Sequence, residues 1–144
     1  MMYRNSEGYA DPTAAAAFSN IGHEISEEKR RVRGIMRRRK VYVVSKFAGD
    51  IPNNVKLARR YCRFAASKKY IPIASHLMYP QFLNDKDPKE RELGLLFGLA
   101  LLKCCYEVWC FGTDISAGMK QEIEEAKRLN KPIRYFTTDM EEIK

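Results

Sequence analysis

The segment Lys40-Val41-Tyr42-Val43-Val44-Ser45-Lys46-Phe47-Ala48-Gly49-Asp50 decides the fold class of this chain. Residues Val41 to Val44 form a continuous β-branched and aromatic run, which is typical of a strand buried on both faces of a parallel sheet. Small and polar residues follow at once, from Ser45 to Asp50. Since the carboxyl ends of parallel strands meet at one edge of the sheet, where small ligands bind, the segment predicts a buried strand that leads into a pocket.

The same pattern recurs along the chain and sets its architecture. Three further apolar runs, each bounded by turn residues, predict strands at 70–74, 107–111 and 132–136. Helical patterns separate them, beginning at Asn53 or Asn54, at about Lys89, and after a capping Ser116. Alternating strands and helices favour an α/β fold of the Rossmann-like or flavodoxin-like type. We expect a mostly parallel sheet of four or five strands with helices on both faces, and either an edge position or a ladder start for the strand that contains Pro72.

Residues 1–39 predict an N-terminal helical arm, and residues 40–144 the α/β domain. Pro12 fits the first position of a helix, and Gly22 is expected to separate it from a second helix at about 24–38. The apolar positions of the arm are sparse: Ile21, Ile25, Val32, Ile35 and Met36. We therefore expect an appendage that lies on the domain or on a partner, and a homo-oligomer.

Composition narrows the function classes. The formal net charge of +8 and the basic cluster at residues 29–40 allow contact with a nucleic acid, but a solvated helix end with favourable charges explains the cluster better. No apolar stretch is long enough to span a membrane, and the first residues lack the apolar core of a secretion signal. The four cysteines, which show no metal-like spacing, are expected to be buried, reduced thiols of a cytoplasmic protein that needs no metal or cofactor. They are Cys62, Cys104, Cys105 and Cys110.

The segment Ser116-Ala117-Gly118-Met119-Lys120-Gln121-Glu122 is the strongest candidate for chemistry. A glycine at a helix start lets a ligand approach the backbone, and the free amides of the first turn suit an anion such as phosphate. The Glu122 carboxylate either attacks a sugar anomeric carbon or binds ribose hydroxyls, or it is an ordinary exposed helix residue.

Other candidates follow from their places after the strands. His76 is a general acid, a phosphate contact or a structural hydrogen-bond donor. Arg91 either binds a phosphate, which suits its guanidinium, or pairs with Glu92 or Asp87. Phe47 and Phe82 stack on a base or serve only in packing. The full set of candidate ligand-binding residues is Ser45, Phe47, Gly49, His76, Phe82, Arg91, Gly112, Ser116, Gly118 and Met119.

Taken together, several motifs between Lys40 and Phe136 identify a family. The chain resembles the nucleoside 2-deoxyribosyltransferase-like superfamily, and within it an uncharacterised phage and bacterial branch that is a domain of unknown function. The residues that carry the resemblance are Lys40-Val41-Tyr42-Val43, Ile73-Ala74-Ser75-His76-Leu77, Pro80-Gln81-Phe82-Leu83, Glu90-Arg91-Glu92-Leu93-Gly94, Trp109-Cys110-Phe111-Gly112, Ile115-Ser116-Ala117-Gly118-Met119 with Glu122, and Lys131-Pro132-Ile133.

The resemblance implies roles for two residues. Glu122 matches the nucleophile of the transferases, which forms a covalent deoxyribosyl intermediate, and Tyr42 matches the tyrosine that orients it. Two family carboxylates are replaced here: one by Ser116, and the one that handles the proton of the leaving base by a residue of Gly98-Leu99-Ala100. The sequence offers Glu90, Arg91, Glu92 or Asp114 as substitutes.

Two functions remain open at this point. One is cleavage or transfer of an N-glycosidic bond in a nucleoside or nucleotide, with Glu122 and Tyr42 as catalytic residues. The other is a non-catalytic module that binds a nucleotide in order to sense or sequester it, encoded by a phage. A third function, which the sequence favours less, is binding of a nucleic acid or a protein through residues 29–40.

Overall fold

A computed structural model describes residues 12–144. Its helices and strands are α1 (Pro12–Met36), β1 (Lys40–Val44), α2 (Ile51–Ser67), β2 (Ile71–Ile73), α3 (Pro88–Lys103), β3 (Glu107–Phe111), α4 (Ala117–Arg128), β4 (Ile133–Phe136) and β5 (Glu142–Ile143). Two short 3-10 turns, Ser75–Leu77 and Tyr79–Gln81, lie between β2 and α3. The chain divides into two compact units, one ending at Arg38 and the other running from Arg39 to Lys144.

The second unit contains one five-stranded sheet of order β2-β1-β3-β4-β5. The pairs β1–β2, β1–β3 and β3–β4 are parallel, and β5 joins β4 antiparallel. The predicted mostly parallel α/β fold is confirmed, and β2, which contains Pro72, lies at an edge as expected. Strand order reverses between β1 and β3, so the carboxyl ends of these two strands flank the crevice in which such folds bind ligands.

Helices cover both faces of this sheet. Tyr42 and Val44 point to one face, where they pack in one core cluster with residues of α3 and α4. Val41 and Val43 point to the opposite face and pack with residues of α2. Burial on both sides explains why β1 is apolar at every position from Val41 to Val44.

Three local expectations were wrong. Helix α1 continues through Gly22, because one glycine costs a helix only about 1 kcal/mol and its neighbours are not helix breakers. Helix α2 is capped by Asp50, whose side chain accepts a hydrogen bond from the Asn53 backbone amide at 3.4 Å, so it begins earlier than the asparagines predicted. All four thiols are free, but only Cys105 and Cys110 are buried as expected; Cys62 is half-buried and Cys104 is exposed.

None of the helices within residues 12–144 is long and apolar enough to cross a membrane.

Candidate functional site

A pocket of about 440 Å³ opens at the carboxyl edge of the sheet, on the face that carries α3 and α4. The loop after β1, the two 3-10 turns, α3 and the first turns of α4 form its walls. The predicted residues Phe47, His76, Arg91, Ser116, Gly118 and Met119 line it together with Glu122.

Glu122 supplies a buried carboxyl group to this pocket. Helix α4 begins at its capping residue Ser116, whose hydroxyl accepts a hydrogen bond from the Met119 amide at 3.3 Å. Glu122 follows on the packed side of the helix, beside Ile123, and is only 4% exposed. Burial disfavours the carboxylate and raises the pKa of Glu122 to about 8, against a smaller lowering by the Tyr42 hydroxyl. Glu122 is therefore mostly protonated near neutral pH.

Tyr42 reaches Glu122 from the middle of β1. Its side chain is fully buried, and its hydroxyl forms a 2.9 Å hydrogen bond with the Ser75 hydroxyl. Burial and the neighbouring Glu122 raise the pKa of Tyr42, so the phenol stays protonated. Its hydroxyl can therefore donate a hydrogen bond to the Glu122 carboxyl group. A Cβ atom on Gly98 would lie 3.0 Å from the Tyr42 hydroxyl, so the glycine leaves the room that this tyrosine occupies.

His76 is the second titratable group beside Glu122. Its Nε2 atom lies 3.8 Å from the Glu122 Oε1 atom. Its ring stacks on Phe47, with ring centres 4.8 Å apart and planes 14° from parallel. Burial lowers the pKa of His76, which favours the neutral imidazole at neutral pH. Both Glu122 and His76 therefore favour their uncharged forms near neutral pH.

The loop that carries Phe47 is held by a side chain of α2. The Asn54 amide donates to the backbone carbonyls of Phe47 and Ala48 at 2.9 and 3.1 Å. Asn54 is itself buried, so this anchor fixes the pocket wall against which His76 stacks.

Charged side chains also line the wall that α3 and the preceding loop form. Glu90, Arg91 and Asp85 all line the pocket. The Arg91 Nε atom donates to the Asp85 backbone carbonyl at 2.9 Å and lies 3.8 Å from its carboxylate. Arg91 is therefore already engaged, which weakens its expected role as a phosphate ligand, whereas Glu90 adds a carboxyl side chain to the pocket wall.

The remaining predicted ligand residues lie elsewhere. Ser45 and Gly112 line a smaller cavity of about 150 Å³, together with Asp114, which pairs with Lys46 at 2.8 Å. Gly49 and Phe82 line neither cavity, and Phe82 is 64% exposed.

Sequence reasoning did not assign Ser75, Asp85 and Gly98 to the site. Ser75 begins the 3-10 turn just after β2, one residue before His76, so the same signal of a position near a strand end applied to it as well. No local signal marks Asp85, which lies in a loop. Gly98 was marked only as a position where the related enzymes carry a different residue.

Within residues 12–144 no cluster of three or more His, Cys, Asp or Glu side chains could hold a metal ion.

The protein has the α/β fold that is found in the 2-deoxyribosyltransferases. Its structure is similar to that of a 2-deoxyribosyltransferase from the psychrotolerant bacterium Bacillus psychrosaccharolyticus, with a TM-score of 0.57 and 15% identity over 68% of this chain and 72% of that one. A 2-deoxyribosyltransferase from Leishmania mexicana is also similar, with a TM-score of 0.50 and 11% identity over 69% of this chain and 64% of that one. At these identities the likeness shows the fold.

The chain belongs to the family described as "Domain of unknown function (DUF7768)", whose model matches residues 39–136. No curated protein matches it in sequence.

Proposed function

We propose that this protein breaks the N-glycosidic bond of a nucleoside or nucleotide, with Glu122 as the nucleophile. The observation that carries the proposal is the buried Glu122 carboxyl in the 440 Å³ pocket, with the Tyr42 hydroxyl and the His76 imidazole beside it. A pocket of that volume suits a ligand of nucleoside size. The similar transferases support the choice of substrate class.

The reaction has two displacements at the anomeric carbon. A Glu122 carboxylate oxygen attacks C1′, the C1′–N bond breaks, and its electron pair leaves with the base, which takes up a proton. Water or the nitrogen of a second base then attacks C1′, gives up a proton to the group that protonated the leaving base, and releases the Glu122 carboxylate. Water as the acceptor gives hydrolysis, and a base gives transfer.

The nucleophile must be ionised before the first displacement. Because Glu122 is protonated and His76 neutral near pH 7, transfer of one proton from Glu122 to His76 creates the carboxylate without changing the charge of the pocket. The 3.8 Å separation lets a small side-chain movement bring the two groups into hydrogen-bond contact. Tyr42 then stabilises the ionised carboxylate by donating to it.

A second acid must protonate the leaving base. The base departs from the sugar face opposite to the nucleophile. His76 lies beside Glu122, and therefore on the nucleophile's side of the sugar. Of the four predicted substitutes, Glu90 and Arg91 line the pocket, Glu92 lines neither cavity, and Asp114 lines the smaller cavity and pairs with Lys46. Only Glu90 among them is a carboxyl group in the pocket, so we assign it the proton donor's role.

The first turn of α4 is the proposed contact for the sugar or its phosphate. Ser116, Ala117, Gly118 and Met119 line the pocket, and the first amides of a helix lack partners within it. Phe47 stacks with His76 on one face of its ring, so a base would use the other face.

The test is release of free base from a panel of nucleosides, deoxynucleosides, their monophosphates and NAD. We expect turnover by the wild type and by Glu124→Gln, an exposed control in the same helix, and none by Glu122→Gln, which should still bind the substrate. Turnover that survives Glu122→Gln would refute the assignment of the nucleophile.

A non-catalytic nucleotide-binding module is the second candidate. It is favoured by Gly98, which stands close to the position where the related enzymes carry a carboxylate and which leaves no room for a side chain beside Tyr42. This candidate predicts that wild type and Glu122→Gln retain the same compound and that neither releases base.

A further inference from the structure

Helix α1 carries an exposed stripe with coiled-coil spacing. Ile21, Ile25, Val32 and Ile35 are 52%, 51%, 40% and 37% exposed. Together with Glu28 they recur at alternating intervals of four and three residues. This heptad pattern places them along one side of the helix, where it suits pairing with a second helix.

The length and composition of α1 indicate that packing of another helix against this stripe stabilises it. The helix has 25 residues and is therefore about 37 Å long. Most helices in proteins are stabilised by packing of an apolar face rather than by intrinsic propensity. An exposed stripe of four β-branched apolar side chains is such a face.

The charges of α1 decide between the two possible directions of pairing. Basic side chains crowd the part of the helix that follows Glu28. In a parallel pair the two basic segments would lie alongside each other, and like charges repel over a Debye length of about 8 Å. In an antiparallel pair each basic segment lies beside the earlier, less basic part of the other helix.

We propose that α1 pairs with α1 of a second copy of this chain in an antiparallel coiled coil. Centring the pair between Ile25 and Glu28 sets Ile21 against Val32 of the second copy. The same register sets Glu24 beside Arg31 of the second copy, and Arg31 beside its Glu24. These two flanking positions are therefore complementary in charge.

Glu28 interrupts the stripe, and in this register it lies opposite Ile25 of the second copy. Its carboxylate is held by Arg31 of the same helix at 2.5 Å, which draws its charge toward the flank of the stripe. A polar residue at a core position of a coiled coil lowers the stability of the pair.

The first experiment measures the mass of the full chain in solution by sedimentation velocity over a wide concentration range. We expect wild type to approach twice the 16.7 kDa of one chain at high micromolar concentration. Ile21→Lys with Ile25→Lys should leave a monomer. The matched control is Asn20→Lys with Ser26→Lys, which adds the same charge to the same helix away from the stripe and should stay dimeric.

A charge exchange tests the direction of pairing. Glu24→Arg should weaken the dimer at least tenfold, and adding Arg31→Glu should restore it, because the two positions face each other only in the antiparallel pair. In a parallel pair Glu24 would face Lys29 instead, and the second change would not restore association.

Other outcomes overturn the proposal. A wild type that stays monomeric, or a dimer that survives the lysine substitutions in the stripe, would show that α1 does not join two copies. Association seen only after addition of a DNA or RNA duplex, and lost steeply with salt, would instead assign the basic segment to a nucleic acid.

Discussion

Replacing Glu122 by glutamine should change the stability of the protein in a pH-dependent way, whatever reaction the pocket performs. Glu122 has an ordinary pKa of 4.5 when unfolded, and burial raises it to about 8 in the folded protein. Between these two values the native state binds a proton that the unfolded state has lost. Stability therefore falls as pH rises through this window, and a glutamine, which does not titrate, removes the loss.

The magnitude follows from the two pKa values. Between about pH 5.5 and about pH 7.5, the wild type should lose about 2.5 kcal/mol relative to Glu122→Gln. Guanidinium unfolding at both pH values, followed by circular dichroism, gives the free energy of unfolding of each protein. Every other titrating group is common to both proteins, so the difference isolates Glu122.

The control is Glu124→Gln, which makes the same chemical change at an exposed position of α4. Its stability should follow that of wild type across the same pH range. If the wild type and Glu122→Gln lose the same free energy between the two pH values, Glu122 is not a buried, protonated carboxyl and the account of the pocket fails.

Three further substitutions test how the site is built. Gly98→Ala puts a methyl group 3.0 Å from the Tyr42 hydroxyl and should cost about 1–3 kcal/mol by chemical denaturation, whereas Gly118→Ala, with open space around it, should not destabilise. Tyr42→Phe removes the hydroxyl that favours the Glu122 carboxylate, so the pKa of Glu122 should rise further in an NMR titration, and an unchanged value would contradict the contact. Asp50→Ala removes the cap of α2 and should cost about 1 kcal/mol in the free energy of unfolding; no loss would show that the cap contributes nothing.

The strands and their direction were predictable from sequence because each is a compact apolar run with clear boundaries. The run from Val41 to Val44 identified β1, and Pro72 correctly indicated an edge strand. Helix boundaries were less secure, since Asp50, Asn53 and Asn54 are all good caps and only the backbone decides among them.

The division of candidate residues between two cavities could not be predicted. Residues after a strand reach the same edge of the sheet, but the sequence does not show on which face they emerge. In β1 all positions from Val41 to Val44 are buried, so no alternation of polar and apolar residues reveals the faces. The sequence therefore did not reveal that Ser45 lines the small cavity, whereas Phe47, two residues further along, lines the large one.

Only some of the contacts around Glu122 could be predicted from the sequence. The resemblance to the transferases predicted that Tyr42 lies beside Glu122. The neighbourhood of Glu122 and His76 depends on how the turn after β2 folds over α4, which no spacing in the sequence records.

The most direct test of the proposed chemistry is the intact mass of the protein, quenched in acid within milliseconds of mixing with a substrate from the base-release panel. The account predicts a fraction of wild-type protein heavier by one sugar residue, with peptide mapping that places the ester on Glu122. The same species should be absent from Glu122→Gln. Base release by the wild type with no adduct on Glu122 at any quench time would contradict the covalent mechanism.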